Sequence, residues 1–462
     1  MTGRELTRRA GAGRAAAPVR LVHLGLGNFF RAHQAWYTEH APDAGDWGIA
    51  AFSGRSADLP NQLTAQEGLY TLITRAAEGD RFEVVGSLSA AYPGGEHEAW
   101  LDHLASSDVA AVTVTVTEAG YVRSADGGLD RDRPEVRQDV DALRRDLAAP
   151  VRTTPARLLA GFAARRRSDA GPIALVPCDN VAGNGAIAVG VVRDLAEMVD
   201  PQLADWCAEH VSKVTTMVDR ITPRTDPGDE RIVAEGPGWI DRAPVATEPF
   251  AEWVLSGAFP AGRPSWQDAG ARFSDDIVPF EHRKLWLLNG AHSLLAYAGS
   301  IRGHTTVAEA VTDETCRSWM QQWWDEAVAH LDLPAADLQT YREALVTRFA
   351  NPRIRHSLAQ IATDGSQKLP ERILPVVAEE RSTGRMPEGA VRVLAAWVCH
   401  LRGHGVPVAD PRADELTRRA AGPLPDAARR VLDTLDPHVG ADGELVAAVA
   451  ADAERLEREA GT

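Results

Sequence analysis

The chain has 462 residues, 44% hydrophobic and 25% charged, the composition of a globular protein long enough for two domains with separate cores. A net charge of −16 and a pI near 5.4 argue against nucleic-acid or anionic-membrane partners, which need a basic surface. Cys178, Cys207, Cys316 and Cys399 show no Cys-x-x-Cys spacing, which predicts reduced thiols, no metal site and a cytoplasmic location.

Residues 1–17 are rich in Arg, Ala and Gly, lack the apolar run of a secretory signal, and predict a disordered tail. Val19 to Leu24 then reads as a short strand that enters Gly25-Leu-Gly27 and continues as a helix. Glycines there let the backbone approach a pyrophosphate, and the helix start offers free N–H donors, so Gly25 and Gly27 are candidate cofactor residues. The third glycine position is Phe30, and Arg31, just behind the loop, is a candidate phosphate partner. A second strand is predicted over Trp47 to Ser53, where such folds place an acidic residue for the adenosine ribose. Here Gly54-Arg55-Ser56 follows instead. Two options stay open: Asp58 serves NAD, or Arg55 and Ser56 accept the 2′-phosphate of NADP.

Val109 to Val116 predicts a strand ending at Thr117-Glu118, and Pro172 to Cys178 one ending at Asp179-Asn180. Open α/β sheets bind their ligands at such strand ends. In the segment Glu281 to Ser293, an α-helix at 100° per residue would set Glu281, His292 and Asn289 at roughly 60°, 80° and 140° from Lys284, among Leu285 and Leu288. Ionisable groups interleaved with leucines suggest a partly buried polar site. Helices are then expected over Val307 to Leu331, with Thr305 and Thr306 as N-caps, Asp337 to Phe349, Pro387 to His404 and Glu444 to Glu459. The expected architecture is an α/β Rossmann-like domain over residues 18–278 and a mostly α-helical substrate domain over 279–462.

Beyond residue 18 the chain resembles the polyol-specific long-chain dehydrogenases/reductases, the mannitol dehydrogenase family. The resemblance lies in Gly25-x-Gly27-x-Phe29-x-Arg31-Ala-His33, Thr115-Val-Thr117-Glu118-x-Gly120-Tyr121, Cys178-Asp-Asn180 with Asn184-Gly185, Met217-Val-Asp219-Arg220-Ile221, Glu248-Pro-Phe250 and Lys284-x4-Asn289-Gly-x-His292. It implies a metal-free enzyme that moves hydride between a nicotinamide cofactor, NAD more readily than NADP, and a secondary alcohol carbon of a linear sugar derivative. Asn28, Phe29, Ser53, Thr117 and Glu118 match positions lining the cofactor.

Reducing a ketone leaves an alkoxide that must be stabilised and protonated, and the reverse reaction needs a base. A lysine serves both if burial disfavours its ammonium form, and Lys284 is that candidate. Asn180 and Asn289 match a pair of carbonyl-binding amides, a possible oxyanion hole. His292 and Asp219 match hydroxyl binders that orient the lysine, and Glu281 matches a proton relay to solvent. The plain alternatives are a strand-end Asp219, a turn-forming Asn180, a core His292 and a solvated Glu281.

The run Asn351 to His356 with Asp364 to Arg372 is similar to the fructuronate reductase (D-mannonate oxidoreductase) branch. Arg355, Lys368 or Arg372 would hold a substrate carboxylate. A mannitol or arabinitol dehydrogenase is the alternative, and a non-catalytic dinucleotide sensor is the alternative of another class. The only partner expected is this small molecule, in a monomer or weak homo-oligomer.

Overall fold

The computed structural model describes residues 3–54, 56–124 and 127–460. The chain divides into two compact units, residues 1–278 and 279–462.

The first unit is built on an eight-stranded sheet. Its strands are β1 (Val19–Leu24), β2 (Gly48–Phe52), β3 (Leu88–Tyr92), β4 (Ala111–Val114), β5 (Ile173–Pro177), β6 (Val211–Asp219), β7 (Glu252–Gly257) and β8 (Arg272–Phe273). The order is β8-β7-β6-β5-β4-β1-β2-β3, parallel from β6 to β3, with β7 antiparallel to β6. The parallel part is the doubly wound order, and it reverses direction between β1 and β4.

Alternate residues of each strand enter different cores. Val22, Leu24, Ala50, Phe52, Val112 and Val114 pack on one face with Trp100, Leu158 and Phe162. Leu21, Ile49, Ala51 and Val176 pack on the other with Phe30, Tyr37 and Trp253. Helices cover both faces, which is why these strands read as continuous apolar runs.

The amino-terminal residues differ from expectation. Arg4–Glu5 pairs in parallel with Trp239–Ile240, and Leu6 and Ala12 are buried. Arg8 donates to the carbonyls of Glu67 and Leu88, each at 2.9 Å. Residues 4–12 are therefore an ordered arm, because the guanidinium and Leu6 find partners far away in sequence.

The second unit is helical. The helix Glu388–Leu401 is buried over nearly its whole length and packs against Glu314–Val328 and Gly443–Ala460. The helix expected over Val307 to Leu331 is two helices, because Asp313 caps the second, its carboxylate accepting from the N–H of Thr315 at 2.8 Å. Thr306 caps the first in a capping box with Glu309. Among the described residues no helix is long and apolar enough to cross a membrane. All four cysteines are buried and free.

Candidate active site

The point where the strand order reverses is where such sheets take a ligand. There the N–H groups of Gly25 and Leu26 both donate to the carbonyl of Phe52 at 2.9 Å, and that of Thr115 donates to Leu24 at 2.9 Å. Gly25 has φ +115°, and a Cβ there would lie 2.1 Å from the carbonyl oxygen of Thr115, so only glycine fits. A Cβ on Gly27 would meet nothing nearer than 3.6 Å, which leaves its backbone open to a ligand. Thr117 and Glu118 are exposed just beyond β4 on the same sheet edge. This arrangement fits a dinucleotide.

The other residues of this edge mostly hold it together. Arg31 is 1% exposed; Nη2 donates to Asn28 Oδ1 at 2.7 Å, Nε to the carbonyl of Gly27 at 3.3 Å, and Nη1 to that of Ala243. The expectation of a phosphate-facing Arg31 is therefore corrected: its donors brace the glycine loop from behind. Asn28 donates to Thr225 Oγ1 at 3.0 Å, and Phe29 stacks on His33. Ser53 is buried, donating to the carbonyl of Ser56 at 2.7 Å and accepting from Gly94 N–H at 3.0 Å. Asp58 is exposed, and its carboxylate accepts from the Ser56 hydroxyl at 3.0 Å. Arg55 lies outside the described residues.

Also in the first unit, Asn180 is exposed after β5, and the preceding Asp179 accepts from the Tyr121 hydroxyl, tying the loops after β4 and β5 together. Asn184 clamps its helix to β6, accepting from and donating to the backbone of Thr216 at 2.9 and 3.0 Å. Asp219 ends β6 and is 3% exposed.

In the second unit, residues 279–301 lie in one helical run with two π-helical stretches, Lys284–Gly290 and Leu295–Gly299. A π turn closes i→i+5 bonds, so the α-helical angles do not apply between Lys284 and Asn289. Each residue of the wider helix turns through less than the α-helical 100°, so Asn289 lies nearer the face of Lys284 than an α-helix would set it. Lys284 is 9% exposed and Glu281 8%, so neither is a solvated surface group.

His292 is 6% exposed, and its Nε2 is buried with no hydrogen-bond partner. Burial first, then His356, Arg372 and Arg348, hold the imidazole well below its ordinary pKa, so it is neutral. Its ring lies 4.8 Å from that of His356, whose buried Nδ1 also lacks a partner. Two neutral imidazoles with unused nitrogens suit hydroxyl groups of a ligand. His356 and Arg348 were not singled out in the sequence. The signal for Arg348 was its helical spacing from Tyr341 and Leu345, which places a charge on a buried stripe.

The expected carboxylate binders separate. Arg372 Nη1 donates to Ser293 Oγ at 3.2 Å and to the carbonyl of Asn289 at 3.4 Å, so it touches the Lys284 helix. The Lys368 ammonium donates to the carbonyls of Thr363 and Ile361 and to the Thr363 hydroxyl, at 2.7, 3.4 and 3.2 Å. Arg355 is exposed.

His304, Asp313 and Cys316 bring potential metal-ligand atoms within 4.8 Å of one another. The guanidinium of Arg302 already lies 2.7 Å from the Asp313 oxygen that His304 meets at 3.0 Å. The cation's place is thus taken by an arginine.

The description "Mannitol dehydrogenase Rossmann domain" matches residues 19–268, and "Mannitol dehydrogenase C-terminal domain" matches residues 276–457. The chain is 37% identical over 414 residues to a D-mannonate oxidoreductase of Escherichia coli K12, covering 86% of this chain and 84% of the relative. It is 34% identical over 417 residues to a mannitol 2-dehydrogenase of Aspergillus fumigatus, covering 87% and 82%. A Pseudomonas fluorescens mannitol 2-dehydrogenase, solved with NAD and D-mannitol, superposes with a TM-score of 0.80 at 31% identity, covering 96% of this chain and 92% of that one.

Proposed function

The chain belongs to the mannitol dehydrogenase family, an oxidoreductase acting on CH–OH groups, and we propose that it interconverts D-mannonate and D-fructuronate with NAD as cofactor. The observation that carries the substrate is Arg372. Its guanidinium meets the helix of Lys284 and Asn289 beside two neutral imidazoles, and a planar cationic fork is the donor best matched to a carboxylate. Asp58 supports NAD: an exposed carboxylate after the second strand accepts a ribose diol and repels a 2′-phosphate.

Bound NAD supplies the hydride acceptor. Lys284 removes the alcohol proton in oxidation and returns it to the ketone oxygen in reduction, with Glu281 passing the proton on toward solvent. The Asn289 amide donates to the same oxygen as its charge grows. His292 and His356 hold the flanking hydroxyls.

A second reading, oxidation of an uncharged polyol such as mannitol, is favoured by Lys368. Its ammonium is held by the carbonyls of Ile361 and Thr363, which it would have to leave to meet a carboxylate. The test offers D-fructuronate, D-tagaturonate, D-fructose and D-xylulose in parallel with NADH and with NADPH. Preference for fructuronate and NADH supports the proposal. Preference for fructose or xylulose supports the second reading, and no turnover with any ketone overturns both.

A further inference from the structure

Trp323 and Trp324 are both fully buried on the helix Glu314–Val328. The Trp323 indole N–H donates to the carbonyl of Trp286 at 2.9 Å, and that of Trp324 to the carbonyl of Leu287 at 2.8 Å. Both carbonyls lie inside the π-helical stretch Lys284–Gly290. Gly290 completes the contact, since a Cβ there would lie 2.8 Å from the Trp323 ring.

A π turn is less favoured than an α turn and appears in short stretches, often at functional sites. Something outside the helix must therefore select it. Two rigid indole donors that reach adjacent carbonyls of the wide turn, over a glycine that lets the ring approach, supply that selection. We infer that Trp323 and Trp324 are positioning residues, which hold the helix in its π form and thereby set Asn289 against Lys284. The inference rests on the reading of Lys284 and Asn289 as the reacting pair.

Trp323→Phe and Trp324→Phe keep an aromatic ring and remove the N–H. Loss of the donors lets the turn relax toward α geometry, and a shift of about 1 Å between reacting groups lowers turnover roughly ten- to hundredfold. The measurements are kcat with the ketone reduced fastest in the panel above, its KM, the kinetic isotope effect with deuterated NADH, and NADH affinity by fluorescence titration. The expected result is a lower kcat, a larger isotope effect because the chemical step slows, and unchanged NADH affinity. A fall in kcat with the isotope effect unchanged marks a smaller fraction of folded enzyme and overturns the inference, as does unchanged kcat in both variants. Lys284→Ala separates the two levels: if it turns over within tenfold of the wild type, the reading of Lys284 fails, whereas if its turnover falls by about a hundredfold or more and both Phe variants behave as wild type, only the positioning role fails.

Discussion

Asn289 lies five residues after Lys284 in the same π-helical stretch, and its amide is the proposed donor to the reacting oxygen. Removing a single oxyanion donor typically costs about 3 kcal/mol of transition-state stabilisation. Asn289→Ala should therefore lower kcat by roughly a hundredfold or more while changing NADH affinity little, measured by steady-state kinetics and fluorescence titration. A loss confined to KM would make Asn289 a ground-state binder. Arg372 calls for a different comparison. Arg372→Leu should raise KM for a uronate far more than for an uncharged ketose, and equal effects on both would remove the carboxylate role.

At the level of elements, the strand, glycine turn and helix at residues 19–32 were legible because each local preference agreed with the fold: β-branched residues, then Gly25 and Gly27, then a helix start. Gly25→Ala should abolish NADH binding, because the new Cβ would overlap the Thr115 carbonyl; titration with NADH checks it. The helix starts were legible too, and Thr306→Ala should cost about 1 kcal/mol through the lost cap, read as a shift in urea midpoint. What escaped the sequence was non-local. Arg31 looked like a phosphate partner because the carbonyl of Ala243 that absorbs one of its donors is far along the chain. The arm at Arg4–Glu5 pairs with strand residues 239–240, too few and too distant to leave a pattern. The π turn escaped because a 3.6-residue period was assumed, while the indoles that favour a wider turn stand on another helix.

Across the whole molecule, several buried histidines link stability to pH. Burial pushes His23 down to about 3 and His400 down to about 4, and it also lowers His292 and His356. Their folded pKa values lie below the unfolded value near 6.5. The unfolded chain therefore binds more protons below that pH, and stability falls as pH drops from about 6.5 toward the folded values. His400→Leu should make the decline of the urea midpoint between pH 6.5 and 4.5 shallower, by up to about 1.4 kcal/mol per pH unit. An unchanged slope would show that this imidazole is protonated in the folded state.

The central claim is that Lys284 exchanges the proton of a hydride-transfer reaction. Lys284→Ala tests it directly, with ketone reduction and NADH binding measured on the same preparation. The account predicts turnover lowered by at least about a hundredfold, the scale of general acid–base catalysis, with NADH bound as tightly as by the wild type. Turnover within tenfold of wild type would contradict it.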